Sequence, residues 1–565
     1  MADRDMEITA VQSPHFPRSS ASTSVQEKPS TDGKDFAITI EEPPLPAYSD
    51  SSIKEPRTDE KGGKDAKDFA ITVVEEPLSS GPSSVDLPRT GAKFALQNAT
   101  AKSTAFIQEW TPFLLVASYF VFSTCIYMVC TARLISIFWF IYLSTNFYIA
   151  GTTVTEAFIS IEPCRDARKV VERLAEKNWV FPTPDDQCLI LDLVIVAYLP
   201  NEKDIIMDRI QYLCEKIIYP ADKIRINVVY NTPKPIEPLE TEMRSLASKY
   251  SNLRIHKVLD STSKADNLNY FFTLDTGADV IAIYDCDHYP HPYGPRHAME
   301  RFHQDKTVDI VQGRCIVFNA ADTLITGMIS VEFDKIYAVS HPGRATMFGF
   351  GLFTGSNGYW RADLIRELRM DDSMLTEDID SSLRSIEHGA KTVHDLNVVS
   401  YELAPTTLKA LWSQRLRWAQ GWAQASIKHI PLIFSRASHG SRDVKTRFGI
   451  LSLLIVREWS YYLVTQYFCL VLSIVITAFP KSAHSFAKFI YFQYPVSEWL
   501  FIISLTCLIA TLVITFRVKS EFITPGMIVM FSAFYPVYLV LMAVVGLYGH
   551  ARQVSKYSSW NPTAR

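Results

Sequence analysis

The apolar positions of this chain come in two run lengths, and the two lengths predict two environments. Long runs without a charged face, Pro112 to Cys130 and Leu134 to about Val154, each approach the ~20 residues that cross a bilayer. Only Thr131, Ala132 and Arg133 separate them, which predicts a tight transmembrane hairpin. Three more long runs close the chain, about Ser460 to Phe479, Trp499 to Phe516 and about Met527 to Leu547. Phe448 to Trp459, which carries Arg457 and Glu458, reads either as interfacial or as a re-entrant or separate span.

Between these groups the apolar runs are short and alternate with amphipathic stretches. Leu189 to Tyr198, Ile224 to Tyr230, Leu253 to Val258 and Val280 to Tyr284 predict buried strands. Lys203 to Ile218, Glu237 to Tyr250 and Ser263 to Leu274 predict the helices between them. Such alternation implies an α/β domain whose mostly parallel sheet is joined by right-handed crossovers. Ligands of such sheets bind beyond the carboxyl ends of the strands.

Composition adds a third territory. Residues 1 to about 105 are rich in Ser, Pro, Lys, Asp and Glu and lack apolar periodicity, so they cannot bury enough surface to offset chain entropy. Lys34-Asp35-Phe36-Ala37-Ile38-Thr39 recurs there as Lys67-Asp68-Phe69-Ala70-Ile71-Thr72. Two copies are too few for a solenoid, which leaves a tandem duplication or a short docking motif. Met1 to Ala10 is charged and has no apolar core, so no signal peptide is expected. The resulting partition is a disordered tail over 1–105, a hairpin over 106–155, a catalytic domain over 156–445, a membrane region of about three spans over 446–550, and a short tail over 551–565. Arg436, Arg442, Lys445 and Arg447 precede the closing spans, and the positive-inside bias places the α/β domain in the cytoplasm. The N-terminal tail then shares that side, so Asn98, in an Asn-Ala-Thr sequon, is expected to be unmodified. A formal net charge of −4 gives no footprint for nucleic acid. Nine scattered cysteines without a C-x-x-C pair predict reduced thiols.

Polar residues with chemical potential fall at the predicted strand ends. Asp285-Cys286-Asp287 follows the Val280 strand, where two carboxylates one residue apart can hold a divalent cation against a leaving diphosphate. Lys264 opens a helix, a fitting place for a phosphate contact. Thr376 can cap the helical stretch that begins with Glu377 and Asp378, and a carboxylate there can serve as general base. Read more plainly, the three residues form only a helix cap. Gln414-Arg415-Leu416-Arg417-Trp418 lies on an amphipathic helix with Trp412 and Trp422. Arginine suits a diphosphate and tryptophan a sugar ring, whereas an interfacial aromatic helix needs neither ligand.

These elements, in this order, resemble the processive family 2 glycosyltransferases, the cellulose, chitin and hyaluronan synthases. The resemblance covers about Leu189 to Ala425 and the flanking spans. Asp285-Cys286-Asp287-His288-Tyr289-Pro290 is similar to the D-x-D-H-x-P of cellulose synthases, and Val194 to Glu202 to the first-strand motif. The acidic tail and two-plus-three span layout look most like small fungal cell-surface enzymes. The resemblance implies a GT-A-like nucleotide-sugar-binding domain and an inverting hexosyltransferase, multi-pass in the plasma membrane. It would use Mg²⁺ or Mn²⁺ and a UDP-sugar to extend a cell-wall or surface polysaccharide, or else make a single transfer to a lipid. By resemblance Asp378, Glu377 and Asp287 are catalytic, with Asp287 and Asp285 at the metal. Asp285, Lys264, Arg417, Gln414, Tyr198, Glu202 and Asn231 would bind the donor. Trp418, Gly355, Ser356 and Asn357 would bind the acceptor, and Gln312-Gly313-Arg314 lies on a neighbouring strand end. Asn231-Thr232-Pro233 stands where the family carries Asp-Asp-Gly, and no Phe-x-Val-Thr gating loop is present. From a different functional class, a catalytically dead membrane scaffold is opposed by the intact Asp285, Asp287, Asp378 and Arg417.

Overall fold

The computed structural model describes residues 91–435, 443–477, 481–485 and 495–557. The repeated KDFAIT segments, Arg436 and Arg442 lie outside these residues.

A single eight-stranded sheet forms the core, with strands β1 (Leu191–Tyr198), β2 (Ile224–Asn231), β3 (Leu253–Lys257), β4 (Val280–Asp285), β5 (Tyr289–Pro290), β6 (Ile310–Val317), β7 (Gly358–Arg361) and β8 (Thr392–Glu402). Their spatial order is β3-β2-β1-β4-β7-β6-β8-β5. The first four expected strands pair in parallel, β1 with β2 and β4, and β2 with β3. The expected intervening helices are present as Ile206–Lys216, Leu239–Lys249 and Lys264–Phe272. β7 runs antiparallel to both β4 and β6. Two reversals restore the direction, so β6 and its parallel partner β8 end on the same edge as β1, β2 and β4. Tyr198, Asn231, Asp285 and Glu402 therefore all terminate strands at one edge.

The strands read as near-continuous apolar runs because both faces of the sheet are covered. One face buries Leu193, Ile195, Ile226, Val228 and Ala282 against Ile210, Leu213 and Met243. The other buries Val194, Val229, Ile281 and Ile283 against Leu268, Phe271 and Trp360. Trp360 is fully buried and meets Phe353 edge-on at 5.3 Å.

The membrane-type helices depart from the expected boundaries. The first helix runs Gly91–Val129, starting well before Pro112, and the second runs Ala132–Glu176 without a stop at Val154. The α/β domain thus begins with an extension of the second apolar helix, and its first strand starts only at Leu191. The Phe448 to Trp459 stretch is no separate re-entrant segment. Val444–Leu451 passes through a π-turn over Ser452–Val456 into Arg457–Thr477. The structure accommodates its two charges by pairing them: Arg457 Nη1 lies 2.9 Å from Glu458 Oε1, and Glu458 Oε2 lies 2.5 Å from His550 Nε2. Four helices among the described residues are long and apolar enough to cross a membrane: Glu109–Val129, Arg133–Glu176, Val444–Thr477 and Pro525–Val554. Of the five expected spans, the one around Trp499 to Phe516 falls in the helix Pro495–Val518, whose apolar stretch Leu505–Val518 is shorter.

A buried ion pair ties the two territories together. Arg314 on β6 reaches Asp334 at 2.7 Å and the carbonyl of Val518, the last residue of an apolar helix, at 2.9 Å. Asp334 also accepts from the backbone N–H of Ser520 at 2.5 Å.

Candidate active site

A cleft of about 750 Å³ opens at the shared strand edge. Its inner wall is Tyr198, Asn231, Asp285 and Asp287; its outer wall is the helix Leu408–His429 together with Leu453, Arg457, Tyr461, Met542 and Val545 of the apolar helices. The sheet edge and the membrane-type helices thus face one another across a single cavity.

Lys264 lines this cleft. Ser263 caps the helix that Lys264 opens, accepting from Asp266 N at 3.0 Å. That cap aims the ammonium at the Gly355 carbonyl, 2.6 Å away, and at Asp285 Oδ1, 2.5 Å away, with Glu377 Oε1 at 4.0 Å. Burial disfavours the Lys264 charge, yet Asp285 and Glu377 outweigh it and hold its pKa above the usual value. Ser356 Oγ accepts from the Asp285 backbone N–H at 3.2 Å, which fixes the strand end.

Glu377 and Asp378 open the helix Glu377–His388. The expected cap by Thr376 is absent: among the described residues its hydroxyl is buried without a partner, because Thr376 packs against Gly421. A Cβ on Gly421 would stand 2.4 Å from Thr376 Cγ2, so only glycine lets the two helices approach this closely. Gln424 completes the joint, accepting from Leu375 N at 3.0 Å and donating to the Ser373 carbonyl at 3.0 Å. The tryptophan-bearing helix therefore places the acidic pair. Burial, and next the Glu377 charge, push the Asp378 carboxyl up to about 7, against the pull of Lys264 and Arg417. A carboxyl poised there can exchange a proton near neutrality.

Arg417 and Gln414 line the cleft, and within the described residues Arg417 Nε and Gln414 Oε1 are buried without a hydrogen-bond partner. Arg415, between them, also lines the cleft but is already engaged. It pairs with Glu332 at 2.5 Å, shares that carboxylate with Tyr538 of the last apolar helix, and stacks 4.5 Å over Trp418. Trp418 lines the cleft and packs beside Phe333 at 6.4 Å. Trp422 lies under Arg457, whose guanidinium is 3.9 Å from its ring. Trp412 faces Tyr548 and is not part of the cleft lining.

Some expected residues take a different place. Asn357 does not line the cleft. It is fully buried at φ 55°, donates to the Arg314 and Val398 carbonyls, and accepts from Tyr284, which makes it a sheet clamp. Gly355 and Ser356 do line it. Asn231 lines it with its amide already engaged: Nδ2 donates to the Ser261 carbonyl and Oδ1 accepts from Asn267, both at 2.9 Å. Glu202 lines it while accepting from Tyr198 N at 2.7 Å. Gln312 braces the loop before β7 through Thr354 N and the Ser356 carbonyl, both at 3.0 Å.

Asp285, Asp287 and His288 bring ligand atoms within 4.8 Å of one another, and Asp287 is nearly fully buried. Carboxylate oxygens massed in a buried cleft fit a hard divalent cation. Sequence reasoning passed over Glu332, Glu402, Arg457, Gln424 and Gly421. Glu402 closes β8, whose sequence is broken by His394, Asp395, Asn397 and Ser400 and so shows no strand pattern; the others act through tertiary contacts that no spacing announces.

Residues 280–547 match the family described as Glycosyl transferase family group 2. The chain is similar to the probable glycosyltransferase YdaM of Bacillus subtilis (strain 168), 26% identical over 238 residues, 41% of this chain and 56% of that protein. It is also similar to the probable glucomannan 4-beta-mannosyltransferase 1 of Arabidopsis thaliana, 25% identical over 324 residues, 56% of this chain and 57% of the relative. The chain thus spans little more than half the length of these curated relatives. Among solved structures, the mannosyltransferase PcManGT from Pyrobaculum calidifontis, in complex with GDP-Man and Mn²⁺, matches 63% of this chain and 98% of its own at TM-score 0.42 and 17% identity.

Proposed function

We propose, for a chain that carries a family 2 glycosyltransferase domain of GT-A-like fold, an inverting transfer of one sugar from a nucleotide-sugar to an acceptor hydroxyl, carried out at the membrane. The observation that carries this reading is the joint at Lys264, where one partly buried cation links the strand-end carboxylate Asp285 to the acidic pair Glu377 and Asp378. Such a centre has a diphosphate side and a base side less than a side chain apart.

Asp285 and Asp287 would hold a divalent cation, Mg²⁺ or Mn²⁺, whose chemistry is to neutralise the departing diphosphate. Lys264, Arg417 and Gln414 bind the same leaving group, with the rigid Arg417 fork available for two oxygens. Tyr198, Glu202 and Asn231 flank the nucleoside. Asp378 takes the proton of the acceptor hydroxyl as that oxygen attacks the anomeric carbon, and Glu377 keeps the base weakly acidic until then. Trp418 offers its face to the acceptor, and the wall of Leu453, Met542 and Val545 brings that acceptor in from the membrane side. The donor is read as a UDP-sugar and the acceptor as a growing cell-wall or surface polysaccharide, with the protein in the plasma membrane and the cleft on the cytoplasmic side. The apolar outer wall also favours a second reading, single transfer to a lipid.

Purified protein with UDP- and GDP-sugars and Mg²⁺ or Mn²⁺ tests the proposal. A UDP-sugar should be consumed only when an acceptor is present, giving a ladder for a polymer or one band for a lipid. Consumption of neither donor class would refute it.

A further inference from the structure

Beside the Asp285–Asp287 pair, and sharing His288 with it, lies a second group of ligands, of which the proposed transfer leaves Cys315 and Glu402 unused. His288 follows Asp287 directly, Cys315 lies on β6, and Glu402 ends β8. The register of β6 on β8 sets Cys315 opposite Ser400 and Val317 opposite Glu402, which brings both strands' carboxyl ends to the same edge. The imidazole nitrogen, thiol sulfur and carboxylate oxygen all lie within 4.8 Å of one another, and His288 Nε2 is 3.2 Å from Glu402 Oε2. His288 and Cys315 are buried, while His288 and Glu402 also line the cleft, so the group has an entry path.

The donor types decide which ion fits. One sulfur, one imidazole and one carboxylate are a zinc-type set, with the fourth position left to water from the cleft. Thiolate is a poor ligand for Mg²⁺ or Ca²⁺, so this group discriminates against the hard cations that Asp285 and Asp287 suit. The imidazole is also supported from behind. Its Nδ1 lies 3.0 Å from Ser400 Oγ, an arrangement that orients the ring with Nε2 toward Cys315 and Glu402. Cysteine spacing could not reveal this group, because its members lie 27 and 87 positions apart along the chain, from His288 to Cys315 and from Cys315 to Glu402.

We propose that His288, Cys315 and Glu402 form a second cation site, selective for a thiophilic divalent ion such as Zn²⁺, whose occupation inhibits the transfer. On binding, the thiol proton leaves to solvent and a sulfur–metal bond replaces it. The bound ion stands next to Asp287, repels a second dication there and fixes His288 at the wall of the donor site. The inhibitory half rests on the transferase reading; the binding half does not.

Cobalt titration of the purified full-length protein tests the binding half without any activity measurement. One equivalent of Co²⁺ should give a thiolate-to-metal charge-transfer band in the near ultraviolet, and Zn²⁺ should displace it. The band should vanish in Cys315→Ser, persist in Cys286→Ser, and weaken in Glu402→Gln. No band in the parent protein, or a band retained in Cys315→Ser, overturns the site. With Mg²⁺ saturating, Zn²⁺ should inhibit transfer, and Cys315→Ser should need at least about tenfold more Zn²⁺ for the same inhibition. Equal sensitivity of the two proteins would overturn the inhibitory half and assign the effect to Asp285 and Asp287. A protein that binds Co²⁺ at Cys315 but transfers nothing would refute the transferase reading and leave the site standing.

Discussion

Gly355→Ala separates the placement of the base from the integrity of the fold. Gly355 has φ +91°, and a Cβ built on it would lie 2.8 Å from Asp378 Oδ2. An ordinary carbon contact needs roughly 3.5 Å, so the carboxylate must retreat by about half an ångström or more. The positive φ adds about 1–2 kcal/mol of strain, which a fold stable by ~5–15 kcal/mol survives. Misplacing a reacting group by ~1 Å costs on the order of a hundredfold in rate, so half that displacement predicts about a tenfold loss of kcat. Gly277→Ala is the matched control. Its φ is +64° and its Cβ meets nothing within 4 Å among the described residues, so it carries the backbone strain without touching the base. The assay is single-turnover transfer with donor affinity measured in parallel. Gly277→Ala should stay within about twofold of the parent, and Gly355→Ala should lose rate with donor affinity kept. Equal rates for both variants and the parent would refute the claim that Asp378 acts from the position seen beside Gly355.

The Asp378 carboxyl is pushed up to about 7 by burial and by Glu377, so below that pH it is protonated and cannot accept a proton. Transfer should therefore fall as pH drops through about 7, and Glu377→Gln, which removes the repelling charge, should move that limb to lower pH; an unmoved limb in a pH–rate profile would contradict the assignment. Arg314→Met leaves the buried Asp334 uncompensated and should cost about 3–5 kcal/mol in denaturant unfolding, with loosening around Ser520 visible by hydrogen exchange. Trp418→Ala should raise the acceptor KM while sparing donor affinity, and loss of donor affinity would remove Trp418 from the acceptor side.

The strands and helices from Leu189 to Tyr284 were legible because parallel strands covered on both faces are apolar throughout and their crossover helices are strongly amphipathic. β7 was not: Gly358–Arg361 is four residues long, and its reversal between β4 and β6 comes from pairing that local pattern does not encode. Membrane-type helix ends were misplaced for a related reason. Hydropathy marks where Leu134 to Val154 is apolar, but the helix Ala132–Glu176 continues because its next turns pack on the sheet domain, with Glu156 paired to Arg344 at 3.2 Å. At the site, residue types announced Asp285, Asp287, Lys264 and Arg417. Asn357 was assigned to the acceptor with Gly355 and Ser356 by resemblance alone, whereas here the peptide carbonyls of two strands consume its amide. Gln424 and Gly421 carry no chemical signature at all, and only the approach of Thr376 gives them a role.

The central claim is that Asp378 acts on the acceptor while Asp285, Asp287 and Lys264 hold the donor. The direct measurement is donor affinity and transfer rate in Asp378→Asn and Asp287→Asn, each purified at parent yield. Asp378→Asn should bind UDP-sugar with Mn²⁺ like the parent and transfer at least about a hundredfold more slowly. Asp287→Asn should lose both metal-dependent donor binding and about a thousandfold or more in rate. Asp378→Asn with near-parent transfer, or with donor affinity lost in proportion to its rate, would contradict the account.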